Sequence, residues 1–247
     1  MIPKVVANAR AIRGVQPARG ELIAATFVLI PGAGGDGWYW HLVVAELERR
    51  GHHAIPVDLP AGDERAGWTE YADAVVQAID DHRGVTLVAQ SLAGFTAPIV
   101  AERVPVDEIV LLNAMIPKPG ETGGEWWTAT GQGDAQSAYL RQIGIDPGVA
   151  DDDDVLYFHD VPAAVKEETY GRGEPAQTMT PMGQRWPLEA WPDAPTRVFA
   201  GRDDRLFPPS FQRRIAQDRL GLEIEELDGG HLLALSRPRE LVDKLLG

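Results

Sequence analysis

The sequence predicts an α/β protein with a mostly parallel central sheet flanked by helices, and three observations predict it. From Thr26 onward, short β-branched runs alternate with longer amphipathic ones, the pattern of parallel strands joined by crossover helices. A chain of 247 residues is long enough to bury one substantial core, so one domain with an insertion is expected. The rhythm then fails once, between Met115 and Pro195, where Gly, Pro, Trp and acidic residues take over for about 80 residues, too long for an ordinary connection.

The elements follow in order. Residues 1–22 carry some basic charge but lack the apolar run and cleavage site of an export signal, and are expected to form an N-terminal extension. The core, 23–114 and 196–247, contains strand candidates at 26–30, 53–57, 85–89, 108–112, 196–200 and 222–227, each rich in Val, Ile, Leu or Thr. Helical spacing of apolar residues marks 40–50, 69–82, 92–102, 209–218 and 238–246, with Thr69 and Ser236 at or near N-caps. The irregular stretch, 115–195, is expected to be an inserted cap whose aromatic residues either roof an apolar pocket or form a small core of their own.

Composition excludes several functions. A formal charge of -14 repels nucleic acid and anionic lipid, and no basic patch offsets it. No apolar run approaches the roughly 20 residues that span a bilayer, so a soluble protein is expected, with the cytoplasm as the default compartment. Cysteine is absent, which removes disulfides and thiolate chemistry. The acidic run Asp151 to Asp154 lacks the spaced ligands and glycine of a calcium loop and is expected to be solvated; no metal is expected.

The first glycine loop supports two functions. Gly32, Gly34 and Gly37 in "PGAGGDGWYW" spell G-x-G-x-x-G after a strand, and Asp58 ends the next strand about 20 residues on, which is the dinucleotide fingerprint of an NAD-dependent oxidoreductase. Trp38, Tyr39 and Trp40 put bulk where that fingerprint needs close helix packing. Alternatively, the loop supplies a backbone N–H to an oxyanion hole, with Ala33 as the donor.

Three further sites bear on the choice. Ser91, in "VTLVAQSLAGF", lies between a buried strand and an amphipathic helix, as a nucleophile elbow requires, or simply caps that helix. Ala89 and Ala93 stand where the G-x-S-x-G motif has glycines, and Gly94 adds freedom just beyond. Asp204, in "AGRDDRLFPPSF", follows a strand where an orienting carboxylate would stand, although a pair of acids in a loop is commonly a turn. His231, after "LDGG", completes the chain order Ser, Asp, His, each residue at the end of its own strand.

These residues, with the segments "FVLIPGAGGDGWYWHLVVAELERRGHHAIPVDL", "GRDDRLFPPSFQRR" and "GGHLLALSRPREL", resemble the α/β-hydrolase superfamily, and within it the methylesterase and hydroxynitrile lyase group with its bacterial relatives. Pro31 departs from that group, which usually has His there. The resemblance implies a serine hydrolase that cleaves a small, apolar ester or lactone through an acyl-enzyme, without cofactor, with Ser91, His231 and Asp204 as the triad. The amides of Ala33 and Leu92 would form the oxyanion hole. Gly32, Gln90, Trp126 and Trp127 are the candidates for lining the substrate pocket.

The same fold also hosts lyases, and a non-catalytic ligand receptor is a remoter alternative. In the lyases of the resembled group a lysine follows the catalytic histidine; here Leu232 does, which favours ester hydrolysis, with Lys118 or Arg172 as the cations that could reach in. Among the other histidines, His52 and His53 are expected at the surface or in a turn; His41 and His159 could line the pocket, but most histidines have no catalytic part and neither is expected to have one.

Overall fold

The computed structural model describes residues 24–149 and 152–247. The expected N-terminal extension and Asp151 lie outside them. Six parallel strands form one sheet: β1 (Thr26–Ile30), β2 (His53–Pro56), β3 (Val85–Gln90), β4 (Glu108–Leu112), β5 (Thr196–Gly201) and β6 (Ile224–Leu227), in the order β2-β1-β3-β4-β5-β6. β1 is buried throughout and β3 and β4 nearly so, which is why they read as continuous apolar runs. The edge strands β2 (HAIP) and β6 (IEEL) are more polar because each has a partner on one side only.

Alternation along the strands divides two cores. Val28, Ile30, Leu87, Ala89, Ile109 and Leu111 face one side, where α2 (Trp68–Ile79), α3 (Ala97–Arg103) and α9 (Pro209–Leu220) bring Val75, Val100 and Ile215. Phe27, Leu29, Val88, Val110 and Leu112 face the other, against Val43 and Leu47 of α1 (His41–Arg49) and Leu241 and Val242 of α11 (Pro238–Leu245).

Between β4 and β5 the described chain forms short helices and no strand: α4 (Gly123–Thr130), α5 (Gln132–Gln142), α6 (Asp153–Leu156), α7 (Ala163–Gly171) and α8 (Thr180–Gly183). α4 starts in a capping box that the sequence analysis passed over: Thr122 Oγ1 accepts the Glu125 N–H at 3.0 Å, and Glu125 Oε2 accepts the Thr122 N–H at 3.0 Å. Trp126 and Trp186 of this segment are fully buried within the same core as the sheet, so these two rings are not a separate cap core.

Several boundaries differ from expectation. The helix expected over 92–102 is a 3₁₀ turn, Ser91–Gly94, followed by α3, because Pro98 has no N–H to give a helix interior and therefore sits in the first turn of a new one. Thr69 lies inside α2; its first turn is closed by Glu70, which accepts the Gly67 N–H at 2.8 Å. Ser236 ends a short α10 (Leu233–Ser236), and Arg237 precedes α11.

Parallel pairing puts the carboxyl ends of all six strands along one edge. β1 runs on to β2 on one side, whereas β3 returns to the other side of β1, so the order reverses between β1 and β3. A crevice opens at such a reversal.

Candidate active site

Ser91 follows β3 at that crevice. Its φ is 52°, in the left-handed region that a non-glycine residue occupies at a cost, as the tight strand-to-helix turn requires. Met115 N–H donates to the Ser91 carbonyl at 2.9 Å and holds the turn against the chain leaving β4. Ala89 and Ala93 are both buried, and neither has a positive φ. Gly94 serves sterically: a Cβ there would fall 1.8 Å from the Met115 carbonyl oxygen.

Asp204 and His231 meet beside the same crevice. His231 Nδ1 lies 2.8 Å from Asp204 Oδ2, with the two residues 2 % and 0 % exposed. Asp204 Oδ1 accepts the N–H groups of Leu206 and Phe207 at 2.8 Å each, so the turn "DDRLF" folds around its own carboxylate. A carboxylate oxygen accepts, hence Nδ1 is the nitrogen that donates to Asp204, and in the neutral imidazole that leaves the lone pair on Nε2. The imidazole is held between the Phe207 ring, 5.3 Å away, and Tyr157 from the segment between β4 and β5, 5.6 Å away. Burial, and after it the charges of Asp153 and Asp204, pushes the Tyr157 phenol up to about 12. Asp203, the neighbouring acid, is exposed; its N–H donates to the Gly229 carbonyl.

Ser91 and His231 line a single cavity of about 550 Å³, whose walls also include Gly32, Ala33, Gln90, Leu92 and Trp127. Neither the Ala33 nor the Leu92 amide donates to another protein group among the described residues. Leu92 is the second residue of a 3₁₀ turn, where the N–H has no intrahelical partner. Tyr157, Phe158, Met115, Met179 and Met182 make much of the remaining wall apolar.

Not every candidate residue lines the cavity. Trp126 does not line the cavity: it is fully buried, its Nε1 donates to the Ile116 carbonyl at 3.0 Å, and its ring packs on Phe207 and Phe211. His41 stacks on Trp38 and His159 lies against Gly230, both outside the wall. Burial, chiefly, lowers the His159 pKa. Lys118 does not reach the cavity, whereas Arg172 does, stacked 4.6 Å above the Trp38 ring and paired with Asp36 at 3.2 Å. His52 is half-buried, its Nδ1 accepting the Ala25 N–H, and His53 is exposed. Asp152 caps α6, while Asp154 bonds Tyr170 and Lys166. Tyr157 lies on the cavity wall against His231, a contact that spans a long stretch of chain and leaves no local pattern in the sequence.

The glycine loop does not have the form of a dinucleotide site. Gly32 is required by the elbow, since a Cβ would lie 2.3 Å from Gln90 Oε1 and 2.9 Å from Ser91 Cβ. The place where a pyrophosphate would sit, the amide end of the following turn, is taken by Asp36, whose carboxylate accepts the Trp38 N–H at 2.9 Å. Asp58 is bound to the loop itself through the Gly37 N–H at 2.8 Å.

Comparison with known proteins agrees with this architecture. A family model described as "Alpha/beta hydrolase family" matches residues 27–244. The "Probable esterase PIR7A" of Oryza sativa subsp. indica is 30% identical over 260 aligned residues, covering 89% of this chain and 95% of that protein. Among solved structures, polyneuridine aldehyde esterase superposes with a TM-score of 0.72 at 19% identity, covering 90% of this chain and 98% of that one. A methylesterase from Arabidopsis superposes with a TM-score of 0.67 at 20% identity, over 90% and 98% of the two chains. With a family match over most of its length and a relative aligned nearly end to end, the chain belongs to the α/β hydrolase family.

Proposed function

We propose that this protein, an esterase-type member of its family, hydrolyses a small, apolar ester or lactone with Ser91 as nucleophile, His231 as general base and acid, and Asp204 as the orienting carboxylate. The observation that carries this is the buried His231–Asp204 hydrogen bond, 2.8 Å long, beside a cavity that also contains a serine held at φ 52°. His231 Nε2 takes the proton as Ser91 Oγ attacks the carbonyl carbon. The tetrahedral oxyanion is held by the amides of Ala33 and Leu92, a kind of stabilisation worth about 10²–10³-fold per donor. His231 then returns the proton to the departing alcohol, and a water molecule, activated by the same imidazole, frees the acyl group. The apolar wall favours an apolar acyl or alcohol part.

Cyanohydrin cleavage on the same fold is the second possibility. It is disfavoured by Leu232, which follows His231 on the cavity wall and brings no charge, and by the engagement of Arg172 with Asp36. The test is intact-protein mass spectrometry after treatment with a fluorophosphonate, beside assays on p-nitrophenyl and methyl esters and on mandelonitrile at pH 5. One probe per chain, absent in Ser91→Ala, with ester turnover and no cyanide above the buffer rate, is expected. Labelling that persists in Ser91→Ala would remove the nucleophile assignment, and Ser91-dependent cyanide release without ester turnover would make the protein a lyase.

A further inference from the structure

Asn113, the residue that follows β4, carries no motif in the sequence. In the fold it is fully buried, and its φ is 45°. Among the described residues only Asp80, Ser91 and Asn113 combine a side chain with a positive φ, and strained backbone tends to cluster at functional sites. Asn is one of the few residues whose side chain tolerates this conformation.

The Asn113 amide makes bonds that few side chains could make together. Its Nδ2 donates to the carbonyl oxygens of Gly230 and His231, each at 3.0 Å. Its Oδ1 accepts the Gly201 N–H at 2.7 Å and Gln212 Nε2 at 3.2 Å. Two carbonyls demand a donor and one N–H demands an acceptor, so the amide has a single satisfactory orientation; Asp offers no donor when ionised, and Leu offers neither. Gln212, in α9 and also buried, carries the connection onward, with Nε2 2.7 Å from the Phe207 carbonyl and 3.4 Å from Asp204 Oδ2.

A buried polar bridge thus runs from the end of β4 to two loops at once, the one that carries Asp204 and the one that carries His231. Gly230 and His231 lie between β6 and α10, outside regular structure, where no sheet ladder positions their carbonyls. We propose that Asn113 is a positioning residue, which fixes the His231 loop relative to the Asp204 loop, with Gln212 as its partner. This rests on the assignment of Ser91, His231 and Asp204 made above. Without the amide, two buried carbonyls lose their donor and the imidazole is free to drift. Misplacement by about 1 Å can cost on the order of 10²-fold in rate.

The test uses Asn113→Gly, which accepts φ 45° without strain while deleting all four side-chain bonds, and Gln212→Met, which removes the partner amide at similar volume. Four quantities are read: kcat and KM on a p-nitrophenyl ester, the rate of fluorophosphonate labelling, and the folded fraction by circular dichroism. Expected for folded Asn113→Gly is a kcat lower by about 10- to 10²-fold with KM within about threefold, labelling slowed in parallel, and a smaller loss of the same kind in Gln212→Met. A purely structural role would lower the folded fraction and leave kcat per folded molecule unchanged. That result in Asn113→Gly, or in Gln212→Met should Asn113→Gly not fold, overturns the inference. Wild-type protein that fails to react with the probe would instead overturn the Ser91 assignment, and the inference with it.

Discussion

Asp203 and Asp204 show how finely single residues are assigned roles. They are adjacent and chemically identical, yet Asp204 is fully buried with its carboxylate on His231, while Asp203 is exposed. Replacing Asp204 with Asn puts an amide opposite Nδ1 and favours the wrong tautomer. Asp204→Asn is therefore expected to lower kcat by about 10⁴-fold, and Asp203→Asn by less than about tenfold, in parallel ester assays. The reverse ranking would exchange their roles. Ser91, Asp204 and His231 stand out as candidates in the sequence because each comes shortly after a strand, directly after β3 or in the loops that follow β5 and β6, and strands are marked by apolar runs. No local pattern separates the two neighbouring acids, and Asn113 carries no sequence signal either, since its partners lie 88 to 118 residues away along the chain.

At the scale of elements, the segment between α7 and α8 straps the loops after β1 and β2. Arg172 pairs with Asp36, Gln177 Oε1 accepts the Gly34 N–H at 2.9 Å, and the Thr178 N–H donates to the Ala61 carbonyl at 2.8 Å. Gln177 Nε2 in turn lies 3.1 Å from the Tyr71 hydroxyl of α2. The Gly34 amide is next to that of Ala33, so this strap steadies the proposed oxyanion donor. Gln177→Ala is expected to lower kcat about tenfold with a smaller change in KM, and to leave the melting temperature within a few degrees. An unchanged kcat would mean that the loop is held by its own turn, Gly35 N–H to Gly32 carbonyl, without help from the strap.

On the scale of the whole molecule, the segment between β4 and β5 is tied to the rest of the fold by more than its aromatic rings. Glu121, just before α4, receives both Nη atoms of Arg219 from α9, and both side chains are almost wholly buried. Arg219 also donates to the Ile116 carbonyl. Breaking one side of such a pair leaves a charge without its counterion. Glu121→Ala is expected to lower the unfolding free energy by about 3–5 kcal/mol in urea titrations followed by tryptophan fluorescence, and replacing both residues with Met should recover most of it. A loss below about 1 kcal/mol would place the pair among weak surface contacts.

The amino-acid sequence by itself determined the α/β class and the strands of the sheet to within two residues at either end, and it offered Ser91, Asp204 and His231 as candidates shortly after strands, because apolar periodicity and punctuation by Gly and Pro are local properties. It left the glycine loop open between two functions: glycine serves a nucleotide's approach and a backbone's approach equally, and only the fold shows Ser91 Cβ and Asp36 filling the space. It also favoured Trp126 and Trp127 alike, whereas helix α4 turns one into the core and the other to the cavity. Tertiary structure decided such matters because a side chain's partners across 70 or more residues depend on how the strands are ordered and how their loops meet, and neither is written in any local stretch of chain.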